Sequence, residues 1–477
     1  MDSTALRDRL KQVRQDQVLR FAEELDPTGK QKLTKQLEAQ QLEAMPGLVA
    51  EYVTSKPHVA VPADIKPVQA YPYRPDAQRR QLYADARKRG EELLRAGKVA
   101  CFLVAGGQGT RLGYDGPKGE FPVTPIRNKP LFQVFAEGIL AASRDYGRPV
   151  PWYVMTSETN DAATRAFFQK HNHFGLDPRN VTFFVQGMMP AFGMDGRMLL
   201  ESKDSLALSA DGHGGSLRAL KRTGALDDMA KRGVEHLSYF QVDNALVHVV
   251  DPLFVGLHDL TGSEMSSKGL PKANALEKVG NFVVGDGKLQ VIEYSDLPES
   301  LAVQTNPDGG LKFNVGSIGI HALRVGFIEQ LNAGGQLKLP WHRAEKKVPH
   351  VDEQGRELKP DKPNAVKLEQ FVFDAIPLAK NAIVYMTERA EEFSPVKNAE
   401  GVDSPATSRR DQVRRAARWL REAGVDVPEQ NGEPAATLEI SPLLARNAEQ
   451  LQARNLSGTT VRAGEKIYFG ENGPERA

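Results

Sequence analysis

Cysteine is almost absent. Cys101 is the only one in 477 residues, which excludes an internal disulfide framework and fits a reducing compartment, so a cytoplasmic protein is expected. A dominant charge is missing too. Lys and Arg number 62 against 61 Asp and Glu, a net charge of +1, which argues against a protein that coats nucleic acid or an acidic membrane. A local anion pocket is still compatible with that balance. No run of roughly 18 apolar residues is present to span a bilayer, and the charged first residues do not read as a secretory signal. Repeats and low-complexity tracts are also lacking. What remains is 40% hydrophobic content in a chain of mean hydropathy −0.43. At roughly 150 residues per domain, that length predicts about three globular domains.

The first 55 residues read as amphipathic helices. Leu6, Leu10 and Val13 recur at helical spacing, as do Val18, Phe21 and Leu25, and Leu33, Leu37 and Leu42 begin another helix after the break at Asp26-Pro27. Prolines 57, 62, 67, 72 and 75 predict an extended connector. A helix is expected over 78–96. From Val99 the character changes: 99–105 is a continuous apolar run, as for a parallel strand buried on both faces. Helices are predicted at 131–143, 161–174, 216–224 and 225–233, alternating with strands at 151–156, 181–185 and 237–242. That alternation is the signature of βαβ units. A hairpin is expected around Gly285-Asp-Gly287. The last 80 or so residues combine a basic helix at 409–423 with short strands. The predicted organisation is a helical region with its connector (1–96), a large α/β domain (97–390) and a small C-terminal α+β domain (391–477).

The most informative segment is Ala105-Gly-Gly-Gln-Gly-Thr-Arg-Leu-Gly113, followed by Pro117-Lys118-Gly119. It follows a buried strand and precedes a helix. There, glycines let backbone N–H groups approach a phosphate or a base without a Cβ in the way. Arg111 and Lys118 add a planar fork and a point charge for phosphate oxygens. A Walker A loop is excluded because Lys118 is followed by Gly119. A dinucleotide fingerprint is excluded because Gly113 comes one residue too late after Gly107 and Gly109. Asp243 closes an apolar run at the carboxyl end of an expected strand, where α/β sheets place ligands, and a carboxylate there suits Mg²⁺. His171 and His173 lack partners for a zinc site.

Other segments accompany the loop, in order: Trp152-Tyr-Val-Met-Thr-Ser157, Phe183-Phe-Val-Gln-Gly-Met-Met-Pro190, Asp211-Gly-His-Gly-Gly215, Val242-Asp-Asn244, Val291-Ile-Glu-Tyr-Ser295, Phe313-Asn-Val-Gly316, Lys359-Pro-Asp-Lys-Pro-Asn364 and Glu392-Phe-Ser-Pro-Val-Lys-Asn398. Together they resemble the sugar-nucleotide pyrophosphorylases, most nearly the eukaryotic-type UDP-N-acetylglucosamine pyrophosphorylases within the UDP-sugar pyrophosphorylase group. The resemblance covers roughly 95–400. It implies a doubly wound, mixed but mostly parallel α/β sheet with a Rossmann-like nucleotidyltransferase core. It also implies a reaction: uridylyl transfer from UTP to a sugar 1-phosphate, N-acetylglucosamine 1-phosphate favoured, with Mg²⁺ as cofactor and Mn²⁺ as the alternative ion. Neither nucleic acid nor membrane is an expected partner.

Residue by residue, the resemblance implies Arg111, Lys118 and Lys397 as catalytic cations and assigns Asp243 to the metal. Gly106, Gly107 and Gln186 would read the uridine. Gly212 and His213 belong to a second glycine turn, where the family usually carries Asn in place of His213. Gly280, Glu293 and Asn314 would form the sugar pocket, and Lys367 would be a further phosphate contact. Ser317 stands where the family has a second Asn, which weakens the claim for an N-acetylated substrate. Glucose 1-phosphate or broad sugar acceptance is the alternative within the class. An inactive sugar-nucleotide sensor is the alternative outside it.

Overall fold

The computed structural model describes residues 3–56, 61–62, 64–335, 337–456 and 458–476. Part of the predicted proline connector, Pro57 included, lies outside the described residues. The chain forms two compact units. One gathers 1–60, 186–219 and 334–374, and the other gathers 61–185, 220–333 and 375–477.

The larger unit is built on a ten-stranded sheet. Its path runs Ile65–Pro67, Gly280–Gly285, Val315–Arg324, His236–Gln241, Val99–Val104, Trp152–Thr156, Val181–Val185. The last four strands are mutually parallel, while Val315–Arg324 runs antiparallel to His236–Gln241, so the sheet is mixed as expected. Both faces are covered. Cys101, Leu103, Trp152 and Val154 point into a core with Phe132, Phe135 and Ile139 of the helix Leu131–Asp145. On the opposite face Phe102 packs edge-on against Tyr239, and Tyr153 donates to Asp228 of the helix Ala225–Arg232 at 2.7 Å. Continuous apolar strands are the consequence of that double burial.

Two findings revise the expected segmentation. The helix Arg80–Arg95 belongs to the sheet-bearing unit, where it crosses Pro252–Leu260 so closely that a Cβ on Gly256 would lie 1.6 Å from the Ala86 carbonyl oxygen. The C-terminal residues also fall within this unit. They keep their own core around Trp419, Leu438 and Phe469, but Glu439 accepts from the N–H groups of Ile126 and Arg127 at 2.7 and 2.8 Å. Lys129 adds to the join: it pairs with Glu137 at 2.7 Å and donates to the Tyr468 hydroxyl at 2.9 Å.

In the smaller unit the N-terminal helices bury Leu6, Leu10, Leu33 and Leu37 against Phe192, Met198, Val366 and Leu368. Buried Gln15 ties the joint by donating to the Gly196 carbonyl and accepting from Met198 N–H, at 2.9 and 2.7 Å. Helical periodicity reveals an apolar face but not its distant partner, so the sequence shows no sign that 186–219 and 334–374 complete this core.

The predicted helix over 161–174 ends at Lys170. Asn172, His173 and Phe174 adopt positive φ, and the stacked rings of His171 and Phe174 cover the turn. The hairpin forms as expected, with Asp286 and Gly287 both at positive φ. No helix of the described residues is long and apolar enough to cross a membrane.

Candidate active site

The glycine-rich turn leaves the strand Val99–Val104 at its carboxyl end and folds back on itself. Gly109 N–H donates to the Gly116 carbonyl at 2.8 Å and Lys118 N–H to the Gly107 carbonyl at 3.1 Å. A side chain at Gly107 would meet nothing within 4 Å, so this backbone is open to an approaching group. The turn is also held from outside. Fully buried Asn160 sits at the N-cap of Asp161–Lys170 without capping it, and instead donates to the carbonyls of Ala105 and Gly107 at 2.9 and 3.3 Å.

The cations and the carboxylate expected to act together are brought together. Lys118 is half-buried and its pKa is lowered. Desolvation is the main cause; the charges of Arg111 and Lys397 add to it and that of Asp243 opposes it. Unlike Lys118, the other deeply placed lysines have partners. Lys129 bonds Glu137, Lys268 bonds Asp251 and Glu392, and Lys272 donates to the Asn281 side-chain oxygen at 2.7 Å. Among the described residues Lys118 has no carboxylate within ion-pair distance. A desolvated ammonium in no direct ion pair, with two further cations close by, marks a place where a ligand supplies negative charge.

Asp243 and Lys397 lie on two segments zipped to each other. Val396 N–H donates to the Asp243 carbonyl at 2.8 Å, and Asn244 donates to the Glu392 carbonyl and accepts from Ser394 N–H. The Asp243 carboxylate takes part in none of these bonds. Lys397 itself is held loosely by Asp403, at 3.7 Å.

The residues expected at the sugar lie on one side of the same sheet. Gly280 is paired in register with Ser317, and a Cβ there would come 3.3 Å from the Glu293 carboxylate. The same Cβ would lie 2.5 Å from the Val291 side chain, so only glycine fits between Val291 and Glu293. Asn314 accepts Lys272 N–H on its side-chain oxygen at 3.1 Å, which leaves the amide nitrogen as its outward donor.

The smaller unit carries the other expected residues. Gln186 is buried, and Lys367 is half-buried on the strand Ala365–Glu369, opposite Ala344. The second glycine turn is built around Asp211, which is fully buried and ion-paired with Arg218 at 2.5 Å. Gly212 has φ +83° and packs onto the Gln370 backbone. His213 helps hold this turn together, since its Nδ1 accepts Val372 N–H at 3.1 Å and its ring stacks on Phe371. Desolvation, with a smaller contribution from His342, lowers its pKa to about 4, so it is neutral at physiological pH. His213 is therefore not a simple substitute for Asn, since one ring nitrogen is already committed to the backbone.

Sequence reasoning missed Asn160, Lys272 and the ion triad of Lys268, Asp251 and Glu392. An Asn four residues beyond an apolar strand looks like an ordinary helix cap, and nothing local distinguishes a buried lysine from a solvated one. Among the described residues, His248, Asp251 and Glu392 could hold a metal, with ligand atoms within 4.8 Å of one another. Lys268 already supplies the cation there, its ammonium 2.7 Å from Asp251 and from both Glu392 oxygens.

Comparison with known proteins agrees with this arrangement. Residues 47–403 match the model of the UTP--glucose-1-phosphate uridylyltransferase family. The chain is 40% identical to human UDP-N-acetylhexosamine pyrophosphorylase-like protein 1 over 94% of each chain. It is 38% identical to the UDP-N-acetylglucosamine pyrophosphorylase of Saccharomyces cerevisiae, over 76% of this chain and 77% of that one. The crystal structure of the Trypanosoma brucei uridine diphosphate N-acetylglucosamine pyrophosphorylase superposes with a TM-score of 0.80 at 27% identity, covering 95% of this chain and 94% of that one. An open glycine turn, an unpartnered lysine beside Asp243 and these matches together place the chain in the UTP--glucose-1-phosphate uridylyltransferase family.

Proposed function

We propose that this protein is a uridylyltransferase that joins UTP and N-acetylglucosamine 1-phosphate into UDP-N-acetylglucosamine and pyrophosphate. The observation that carries the mechanism is Lys118, desolvated and in no ion pair among the described residues, beside Arg111, Lys397 and Asp243. A phosphate oxygen of the sugar 1-phosphate, already ionised at neutral pH, attacks the UTP α-phosphorus. The new P–O bond forms as the bond to the β-phosphate oxygen breaks, and pyrophosphate leaves with the electron pair. No protein base is needed, so catalysis consists of alignment and charge neutralisation.

Lys118 and Arg111 hold the triphosphate, Gly106 and Gly107 form a wall for the uridine, and Lys397 meets phosphate oxygens. Glu293 and Asn314 orient the sugar hydroxyls and acetamido group beside Gly280. The Asp243 carboxylate, in no ion pair among the described residues, fits Mg²⁺, which takes few protein ligands and leaves the rest to phosphate and water. Such an ion, or Mn²⁺ in its place, supplies charge neutralisation at the phosphates. A cytoplasmic setting fits the single buried cysteine.

Ser317, in register with Gly280, favours a second reading within the class: a pocket that accepts glucose 1-phosphate or several sugars. Both readings are tested by pyrophosphate release with UTP and Mg²⁺ in parallel on N-acetylglucosamine, N-acetylgalactosamine and glucose 1-phosphates. Preference for N-acetylglucosamine 1-phosphate is expected. Preference for glucose 1-phosphate would make Ser317 and His213 marks of a switched pocket. UTP binding without release on any of them would leave a sugar-nucleotide sensor. Chelation of the divalent ion is expected to abolish release, with recovery on adding Mg²⁺.

A further inference from the structure

Lys268 has no part in the chemistry above, yet it is 1% exposed and uses all three of its N–H donors on two carboxylates, Asp251 and Glu392. These carboxylates are heavily engaged in turn. Asp251 also caps the helix Pro252–Leu260 through Leu253 and Phe254 N–H. Glu392 also accepts from the Thr387 hydroxyl at 3.0 Å and from His248 N–H at 3.2 Å. Burial works against the Lys268 charge, but the paired carboxylates outweigh it and raise the pKa above the usual lysine value. A buried ion group is a weak source of stability, because desolvation takes back most of the Coulomb gain. Directional bonds are what it provides.

Those bonds lead to the active site. The Glu392 carbonyl accepts the Asn244 amide at 2.7 Å, the Asn244 side-chain oxygen accepts Ser394 N–H at 3.1 Å, and the Asp243 carbonyl accepts Val396 N–H at 2.8 Å. The segment running from Glu392 to Lys397 is therefore clamped at its root by the ion triad and stitched along its length to residues 243 and 244. We infer that Lys268, Asp251 and Glu392, acting through Asn244, are positioning residues that fix Lys397 against Asp243 and so set turnover without touching substrate. The inference rests on the roles given above to Lys397 and Asp243.

A double-mutant cycle tests it: Asn244→Ala and Lys397→Ala, singly and together, with kcat and KM for UTP and N-acetylglucosamine 1-phosphate and a melting curve for each protein. Alone, Lys397→Ala should lower kcat on the order of 10²-fold, the usual cost of one preorganised charge. Asn244→Ala should lower kcat at least about tenfold through misplacement, with KM for the sugar phosphate little changed. The double variant should be no slower than Lys397→Ala alone, so in the Asn244→Ala background Lys397→Ala should cost only about tenfold more, the part of its contribution that the displaced lysine still makes. Losses that multiply in full would overturn the positioning role while leaving Lys397 catalytic. An inert Lys397→Ala would overturn the reading of Lys397 and this inference with it. As a second route, Lys268→Met with Glu392→Gln removes both charges together, which avoids leaving an unpaired buried ion. This pair should fold and show the same loss of kcat, and a folded pair with wild-type kcat would overturn the inference.

Discussion

The two glycine-rich turns of this protein have similar sequences and opposite uses. In the turn after Val104, a Cβ on Gly107 would meet nothing within 4 Å. In the turn at Asp211, a Cβ on Gly215 would lie 2.1 Å from the buried Asp211 carboxylate, as would one on Gly187 of the segment bonded to Asp211, and one on Gly214 would lie 2.7 Å from the backbone of Gln370 and Phe371. Gly107 lacks a side chain so that a ligand can come close, whereas Gly109 of the same turn, whose Cβ would lie 2.9 Å from Tyr114, and the glycines of the second turn lack them so that their own chain can. A run of glycines in the sequence does not distinguish these cases. What separates them is the neighbouring chemistry: Arg111 and Lys118 beside the open turn, and a buried Asp211–Arg218 pair filling the closed one.

The largest effect on this contrast is expected in the closed turn. Gly215→Ala should push a methyl group into the Asp211 carboxylate and lower stability by about 3 kcal/mol, the upper end for overpacking, as read by urea unfolding. Unchanged unfolding would show that the turn has slack and the contrast is false. Next comes Asn160→Ala, which removes the side chain holding the open turn's carbonyls. It should cost roughly 1–3 kcal/mol of stability, the range for a buried polar group left unpartnered, and turnover should fall along with it. Smaller still, Gly107→Ala should melt like the wild type yet raise KM for UTP by about tenfold, near 1.4 kcal/mol of lost binding. A normal KM would mean that no ligand approaches there.

The smallest effect concerns pH and the closed turn. The pKa of His213 falls from its ordinary 6.5 to about 4 in the folded chain. The unfolded chain therefore takes up a proton first as pH drops. This contribution to stability is complete above pH 6.5 and is lost as pH falls toward 4. His236, fully buried and also lowered to about 4 by desolvation, adds a loss in the same window. His213→Asn should flatten the decline between pH 6.5 and 4 by at most about 1 kcal/mol, given partial solvent screening, as read from melting curves. An undiminished decline would place the whole effect on His236 and its neighbours.

Much of the fold could be read from the sequence wherever local chemistry was enough. The strand Val99–Val104 emerged because burial on both faces demands a continuous apolar run, and the hairpin because Asp286-Gly287 suits a turn with two positive φ angles. Long-range closure was not legible. Nothing in 1–55 says that its leucines meet Phe192 and Leu368, and nothing near Ile126 says that Glu439 will bind its N–H. The site divides in the same way. Arg111 and Lys118 declare themselves beside the glycines, whereas Lys397 entered only through family resemblance. The triad behind it, Lys268, Asp251 and Glu392, joins residues up to 141 positions apart (251 to 392) and has no local signature.

The most direct measurement is the rate of pyrophosphate release from UTP and N-acetylglucosamine 1-phosphate by the wild type, Lys118→Ala and Asp243→Ala, each checked for an unchanged melting temperature. Release by the wild type is expected, with at least about a 10²-fold loss in each variant, because each removes one charge placed where the transition state develops its own. Near-wild-type rates in both folded variants would contradict charge neutralisation by Lys118 and Asp243.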